Sequence, residues 1–438
     1  MSQLIPIAVA VVAGLMMTRV FKKLGLNLPD VTAFLIAGLA IGPYGLGRLG
    51  VEGLGFVSME AVEAVSVLSQ VALGFIAFSI GNEFRLSELK EFGRQASIIG
   101  VAQAVITTAV VDLVLIAVHF LMPEVLSLPA AITLGAIAAA TAPAATLMVV
   151  RQYKAKGKLT SLLLPIVALD DAVGLVLFAV SFGVAQALHA GALDLVSIIV
   201  NPLVEIVGSL LLGAAMGLLL TLLERLFFSN SNRLSLTIAF VFMTIALSAM
   251  QLELGPVHVS FSNLLVCMML GTVFCNLCPR SPDIMDRADR WTAPLYALFF
   301  VLSGAELELS VFSSLAVVGI GLMYILARSA GKYLGAMTSA SATRCEPNVV
   351  KYLGITLLPQ AGVALGMSAS AMTLGAGDGR LIRNIILFSV LIYEIFGPSL
   401  TRWALTRAGD ITPKEADKQS HDRFRSQTPR FQLPFLKK

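Results

Sequence analysis

Apolar stretches of about 20 residues, long enough for a helix to cross a bilayer, recur along nearly the whole sequence. The chain is 57% hydrophobic and 13% charged, whereas soluble domains carry about 25% charged residues. About thirteen such stretches can be counted, so we expect an all-α integral membrane protein. They centre near Ala10, Phe34, Leu73, Thr108, Ala138, Asp171, Leu211, Ile245, Met268, Phe299, Leu326, Gly362 and Leu391.

Basic residues fall in alternate loops between these stretches. Since short loops rich in Lys and Arg stay in the cytoplasm, the pattern predicts an N-terminus outside the cell and a cytoplasmic C-terminus. The net charge of +4 follows from this sidedness, and nothing in it indicates nucleic-acid binding. The exceptions to the alternation are Arg48, Arg380 and Arg383.

An odd number of spans is compatible with two inverted six-helix repeats around a linker helix. Under that scheme the fifth and twelfth spans correspond, and each carries a helix-breaking cluster at its middle. Matched interruptions in two repeats point to a transport site between crossed discontinuous helices, although two ordinary proline kinks are the alternative. The breaks involve Thr141, Ala142 and Pro143 in one span and Leu358, Pro359, Gln360, Ala361 and Gly362 in the other.

Two adjacent aspartates, Asp170 and Asp171, lie in the middle of the apolar segment 159–188. An ionisable group at the centre of a spanning helix costs at least about 2.5 kcal/mol and usually marks an ion or proton path. These carboxylates therefore indicate a transporter of small cations.

Further ionisable residues are predicted to lie within the membrane. Arg328 and Lys332 are four residues apart and so share one helix face, where two buried cations require anionic partners. An ion pair of Arg328 with Glu394 or Asp112 that orients helices is as good an interpretation as a direct part in transport. The complete set is Asp112, Glu205, Arg328, Lys332 and Glu394.

The two aspartates are expected to have different roles, because neighbours on a helix diverge by roughly 100°. One would pair with Lys332, and the other would alternate between Na+ and H+, since a carboxylate removed from water binds protons more tightly. Sodium prefers oxygen ligands, which a carboxylate, Thr141 and freed carbonyls can supply. The alternative is that Asp170 and Lys332 form an ion pair that only fastens two helices.

Several other patterns carry no function. Residues 45–50 match GxGxxG but lack the preceding strand of a dinucleotide site, and Cys275 and Cys278 lack a second pair of metal ligands. An intramembrane protease would need two facing aspartates, which neighbours on one helix are not. We therefore expect no enzyme activity and no cofactor.

The combined motifs resemble a known family. The LDDA element at Asp170, the preceding ATAPAAT, ARSAGKYLGA around Lys332, LPDVTAFLIAGLAIGPYGLG and PQAGVALGMS are similar to bacterial sodium/proton antiporters, specifically the second branch of the monovalent cation:proton antiporter superfamily. The resemblance implies that Asp171 binds the ion and the proton, that Asp170 pairs with Lys332, and that Thr141 lies at the unwound crossing.

The resemblance also implies a domain organisation. The transmembrane domain is expected over 1–405, with a tail at 406–438 and a linker helix at about 194–226. A mobile core unit would comprise about 95–188 and 311–405, and a scaffold unit about 1–94 and 233–310 would form a homodimer. No nucleotide-binding domain of the kind found in potassium-efflux relatives is expected.

The predicted function is exchange of Na+ for H+ by alternating access in the inner (plasma) membrane, serving pH homeostasis. Both aspartates together with Lys332 imply an electrogenic exchanger, with two protons for one sodium, because electroneutral relatives have Asn-Asp. Li+ or K+ in place of Na+ stays open, and Ala142 stands where relatives often carry Asp or Ser. The alternative from another class is a sodium-coupled symporter of an organic anion.

Overall fold

The computed structural model describes most of the chain, and α-helices make up its architecture. The predicted tail lies outside the described residues from position 412 onwards. The described residues are 4–25, 30–51, 54–86, 93–142, 146, 149–150, 153–189, 201–250, 252–254, 257–259, 261–307, 314–375 and 377–411.

Fifteen α-helices are present within these ranges. They are α1 Leu4–Lys23, α2 Asp30–Ile41, α3 Met59–Glu63, α4 Ser66–Glu83, α5 Gly93–Leu121, α6 Leu128–Ile137, α7 Lys158–His189, α8 Asn201–Glu224, α9 Asn230–Ser248, α10 Asn263–Leu277, α11 Ser281–Ala305, α12 Leu315–Ala342, α13 Pro347–Thr356, α14 Gly362–Ser370 and α15 Asp378–Ala408.

Eight helices in the described part of the chain are long and apolar enough to cross a membrane. Shorter apolar helices include α6 and α14, which border the predicted interruptions and so cannot reach full length. The count of about thirteen spans and the inverted repeat therefore stay predictions.

One departure from an all-helical chain is a short hairpin between α9 and α10. Strands β1 Leu252–Leu254 and β2 Val257–Val259 pair antiparallel, with Glu253 opposite His258. This hairpin could not be predicted from the sequence, because three-residue strands are too short to show an alternating pattern.

Helices α5 and α12 approach closely through two glycines one turn apart on α12. A Cβ atom at Gly331 would lie 3.0 Å from the Cα of Thr107, and one at Gly335 would lie 3.0 Å from the Cα of Gln103. Small residues allow helix backbones to come together in a membrane. This contact brings Lys332, which lies between the two glycines, to Gln103.

Buried apolar side chains form separate clusters. One joins α5, α7, α12, α13 and α15, through residues such as Ile99, Leu163, Ala336, Leu353 and Leu405. A second joins α4, α8, α9, α10 and α11, and a third joins α1, α2 and α11. The largest cluster connects both sets of helices around the middle of the protein.

Candidate functional site

Two non-helical segments cross between the shortened helices. Helix α6 ends at Ile137 and α13 ends at Thr356, and α14 begins at Gly362. The segments between them meet where the backbone N–H of Ala142 donates to the carbonyl of Pro359 at 2.9 Å. Proline cannot donate a backbone hydrogen bond, so a break at this position follows from the sequence.

The predicted break residues fall on this crossing where they are described. Pro359 and Gln360 lie in the segment between α13 and α14, and Gly362 starts α14. Gln360 donates to the carbonyl of Ile137 at 3.2 Å and so links the two segments a second time. Pro143 lies outside the described residues.

Arg328 on α12 holds both broken helices through their backbone. Its Nε donates to the carbonyl of Ala138 at 3.1 Å, and Nη2 donates to that of Ala140 at 2.6 Å. Its Nη1 donates to the carbonyl of Leu358 at 2.7 Å. The last carbonyls of a helix carry partial negative charge, so this buried guanidinium compensates the ends of α6 and α13 together.

The structure therefore gives Arg328 partners other than the predicted carboxylates. The carboxylate of Glu394 accepts from Thr32 Oγ1 at 3.4 Å, and Asp112 lies against Gly135 of α6, where a Cβ atom would come within 1.8 Å of Asp112 Oδ1. The expected ion pair of Arg328 with Glu394 or Asp112 is absent from the described residues. Unsatisfied carbonyls at the breaks compete successfully for the guanidinium.

A network of hydrogen bonds surrounds Asp170 on α7. Lys332 Nζ lies 2.7 Å from Asp170 Oδ2, and Thr141 Oγ1 also donates to this oxygen. Gln103 Nε2 donates to Asp170 Oδ1. All four side chains are at most 1% exposed, so the structure brings together the predicted Asp170, Lys332 and Thr141 in one buried cluster.

Lys332 uses its full donor capacity in this cluster. Besides Asp170, its ammonium donates to Gln103 Oε1 at 3.0 Å and to the carbonyl of Ala139. A lysine ammonium has three N–H groups, and these three acceptors take all of them. Lys332 is consequently bonded to the first aspartate of the pair and not to the second.

Gln103 is the member of the network that the sequence analysis missed. It is an amide within the long apolar run of α5, and a polar residue deep in a span is itself a signal of function. An amide is a weaker signal than a charge, because it costs less to place in a membrane. Only the fold shows that Gln103 joins Asp170 to Lys332.

Asp171 occupies a buried position beside this network, with 3% of its surface exposed. It points away from its neighbour because the two residues lie on one continuous helix, α7. Among the described residues, His, Cys, Asp and Glu do not gather in threes in a way that could hold a metal ion. Any cation here would therefore depend on a single carboxylate with hydroxyl and carbonyl oxygens.

Comparisons with known proteins place this geometry in context. The profile of the sodium/hydrogen exchanger transmembrane family matches residues 7–407. The high-affinity Na+/H+ antiporter NhaS3 of Synechocystis sp. (strain ATCC 27184 / PCC 6803 / Kazusa) is 24% identical, and the alignment covers 90% of each chain.

Solved structures share the fold. The sodium proton antiporter MjNhaP1 of Methanocaldococcus jannaschii at pH 8 has a TM-score of 0.69 and 19% identity, covering 94% of this chain and 99% of that one. A structure of the same antiporter from an electron-microscopy map has a TM-score of 0.62 and 17% identity, covering 93% and 98%. These relatives are antiporters, so organic-anion symport has no support.

Proposed function

The chain belongs to the sodium/hydrogen exchanger family, and on that premise we propose that it exchanges Na+ for H+ at Asp171 by alternating access. The observation that carries this assignment is that the two aspartates have different surroundings. Both oxygens of Asp170 accept hydrogen bonds, from Lys332 and Thr141 on one and from Gln103 on the other, so we assign it a structural role. Its neighbour Asp171 then serves as the carboxylate that binds the ion and the proton in turn.

The crossing supplies the oxygen ligands that Na+ requires. Thr141 Oγ1 lies at the break beside Asp170 and 3.3 Å from the carbonyl of Leu357. The non-helical segments expose carbonyl oxygens that an intact helix would consume. Arg328 and Lys332 bind the carbonyls of Ala138, Ala139, Ala140 and Leu358, and their positive charges disfavour a second cation there, so we propose that the site uses other oxygens close to Asp171.

Protons and Na+ compete for Asp171 because both neutralise the same buried charge. A carboxylate removed from water gains stability by binding either cation. Occupied by one or the other, the site carries no uncompensated negative charge through the membrane. The core unit would therefore move only when Asp171 binds Na+ or H+, and this requirement makes the transport an exchange.

The smaller buried clusters support a division into two units, and the largest cluster lies where the two units meet. The helices of one cluster, α5, α7, α12, α13 and α15, belong to the predicted core unit, 95–188 and 311–405. The buried residues of two others lie between positions 10 and 78 and between positions 216 and 305, which belong to the predicted scaffold unit and the linker helix. We propose that the core unit shifts against the scaffold unit, which forms the homodimer contact.

We further propose that exchange is electrogenic and takes place in the plasma membrane, with the C-terminus in the cytoplasm. Two protons per Na+ would couple transport to the membrane potential at about 2.3 kcal/mol per 100 mV for the net charge. The motifs around Asp170 and Lys332 favour the second branch of the cation:proton antiporters. Li+ and K+ are the other cations to be compared with Na+.

Purified protein in liposomes with an internal pH dye tests the proposal. A Na+, Li+ or K+ gradient is applied to the native chain, to Asp171→Asn and to Asp112→Asn, with valinomycin setting the potential. Na+ should move protons in the native chain and in Asp112→Asn, which removes a carboxylate from the same core unit, but not in Asp171→Asn. Proton movement by Asp171→Asn at the native rate would remove Asp171 from the mechanism.

A further inference from the structure

Glu394 is a buried carboxylic acid that the proposed mechanism leaves without a task. It lies near the middle of α15 and is 1% exposed. Its Oε2 accepts a long hydrogen bond of 3.4 Å from Thr32 Oγ1 on α2. Its Oε1 has no hydrogen-bond partner among the described residues.

Charged and titratable side chains on the helices packed against α15 are engaged elsewhere. Arg328 binds three carbonyls, Lys332 binds three acceptors, and Asp30 of α2 lies 4.0 Å from Lys22. The others are Lys158 and His189 of α7, paired with Glu346 and Asp378; Lys351 of α13, over the ring of Tyr352; Glu306 after α11, paired with Arg383; and Asp170 and Asp171 of α7, at the candidate site.

No cation compensates Glu394 in the part of the chain that the structure describes. An ionised carboxylate buried without a partner costs far more than a neutral one, so such a group takes up a proton instead. In the conformation described, Glu394 is therefore a neutral carboxylic acid. An apolar residue would fill the same space at lower cost, which makes its presence informative.

The position of Glu394 links it to the contact between the two units. Thr32 belongs to the predicted scaffold unit, and the preceding Val31 packs on Ala142 and Ala361 at the crossing. One turn beyond Glu394, Gly397 lies so close to the crossing that a Cβ atom there would be 2.9 Å from Pro359. Separation of α15 from α2 would thus expose Glu394 beside the crossing.

We propose that Glu394 is a second proton-binding site, whose proton is held while α15 packs against α2 and released when the two helices separate. On separation the O–H bond of the carboxylic acid breaks, the proton passes to water, and the carboxylate keeps the electron pair. The inference rests on the proposed alternating access. It supplies a proton-binding carboxyl that is distinct from Asp171 and from the saturated Lys332.

The sign of the linkage follows from which conformation binds the proton more tightly. The packed conformation holds the proton, so low pH favours it, and rising pH favours separation. One linked proton changes the ratio of the two conformations by at most about tenfold per pH unit. Val31→Cys reports the separation, because its thiol becomes accessible to a maleimide dye when α2 leaves the crossing.

The experiment measures labelling of Val31→Cys against pH in full-length protein without Na+. Cys345→Ser removes the one native cysteine that is not buried. Labelling should rise with pH in this parent and equally in its Asp286→Asn version, which removes an exposed carboxylate; the maleimide reaction has its own pH dependence, which all versions share. In the Glu394→Gln version the rise of labelling with pH should be less steep, because the contribution of the one proton on Glu394 is lost. Equal slopes in Glu394→Gln and the parent would overturn the proposal.

Thr32→Val distinguishes an effect of the Glu394 proton from an effect of the hydrogen bond between α2 and α15. This variant removes the hydrogen bond between the units but keeps the carboxyl group, so its pH-dependent slope should remain. A slope lost in Thr32→Val as in Glu394→Gln would mean that the contact, and not the proton, matters. Failure of the native chain to exchange Na+ for H+ in liposomes would be seen separately and would refute the proposed function instead.

Discussion

Lys332 Nζ lies 2.7 Å from Asp170 Oδ2, and neither side chain has any exposed surface. Burial of such a pair removes both charges from water, so the geometry of the partners decides whether the pair is stable. Here Gln103 contacts both partners, and Thr141 contacts the carboxylate. The pair is therefore part of a closed polar network in which each member restrains the others.

Removing one charge of this pair should destabilise the protein strongly. We expect Lys332→Gln or Asp170→Asn to lower the free energy of unfolding by about 3–5 kcal/mol, because the remaining charge stays buried without compensation. The double variant should lose less than the sum of the two single variants. Thermal unfolding in detergent measures this, and Lys158→Gln, in an exposed pair with Glu346, should change little. Additive losses would show that the two charges act independently.

Gln103→Leu should impair exchange without changing any charge. The substitution leaves Asp170 Oδ1 and one N–H of Lys332 unsatisfied, each at a cost of about 1–3 kcal/mol. We expect lower stability and at least a tenfold slower Na+-driven proton movement in liposomes. Gln95→Leu is a matched control, because Gln95 lies exposed on the same helix and bonds only the carbonyl of Thr343. Native transport by Gln103→Leu would exclude a part for this amide.

Arg328→Lys should fail to replace the guanidinium despite keeping its charge. A lysine ammonium is a single point and cannot match the fork that reaches Ala138, Ala140 and Leu358. Loss of two hydrogen bonds to a charged donor corresponds to about 3 kcal/mol or more. Unfolding temperature and exchange rate should both fall, whereas Lys351→Arg, at an exposed position of α13, should behave like the native chain. Full activity of Arg328→Lys would mean that charge alone is needed.

A second polar contact joins the predicted units through Arg383 on α15. Its guanidinium lies 2.7 Å from Glu306 Oε2 and 3.0 Å from Ser303 Oγ, beside the end of α11. It also donates to the carbonyl of Leu365 at 2.7 Å on α14. Separation of the units must break the bonds to α11.

Glu306→Gln should therefore weaken this contact and change the exchange rate at least severalfold by favouring the separated conformation. Asp286→Asn is the control, because it breaks an exposed ion pair with Arg290 within α11 and not between units. Labelling of Val31→Cys at fixed pH gives an independent measure of separation. Unchanged labelling in Glu306→Gln would show that Arg383 does not hold the units together.

The membrane class and much of the site were predictable from sequence because they depend on local signals. Pro359 and Gly362 indicate a helix break because the effect of proline and glycine on the backbone is local and does not depend on the rest of the fold. A double aspartate and a buried lysine are so costly in a membrane that their pairing could be expected. The structure brings Asp170, Lys332 and Thr141 together, and their predicted parts in ion binding stay predictions.

The parts that could not be predicted depend on groups that sequence does not distinguish. Arg328 was expected to seek a carboxylate, but its partners are backbone carbonyls, which every residue possesses. Gln103 could not be singled out because an uncharged amide costs less to bury than a charge and so marks a site less strongly. The lack of a cation beside Glu394 among the described residues results from how α2 and α15 pack, and no local sequence pattern predicts it.

The Arg328 contact also determines what evolution can change. Its acceptors are main-chain oxygens, so Ala138, Ala140 and Leu358 can be replaced by other residues of suitable size without losing a single bond. No correlated substitution is needed to preserve the contact. Methods that infer contacts from co-varying positions are therefore expected to miss the link between Arg328 and the two broken helices. Designed variants of the crossing can alter its side chains while these hydrogen bonds remain.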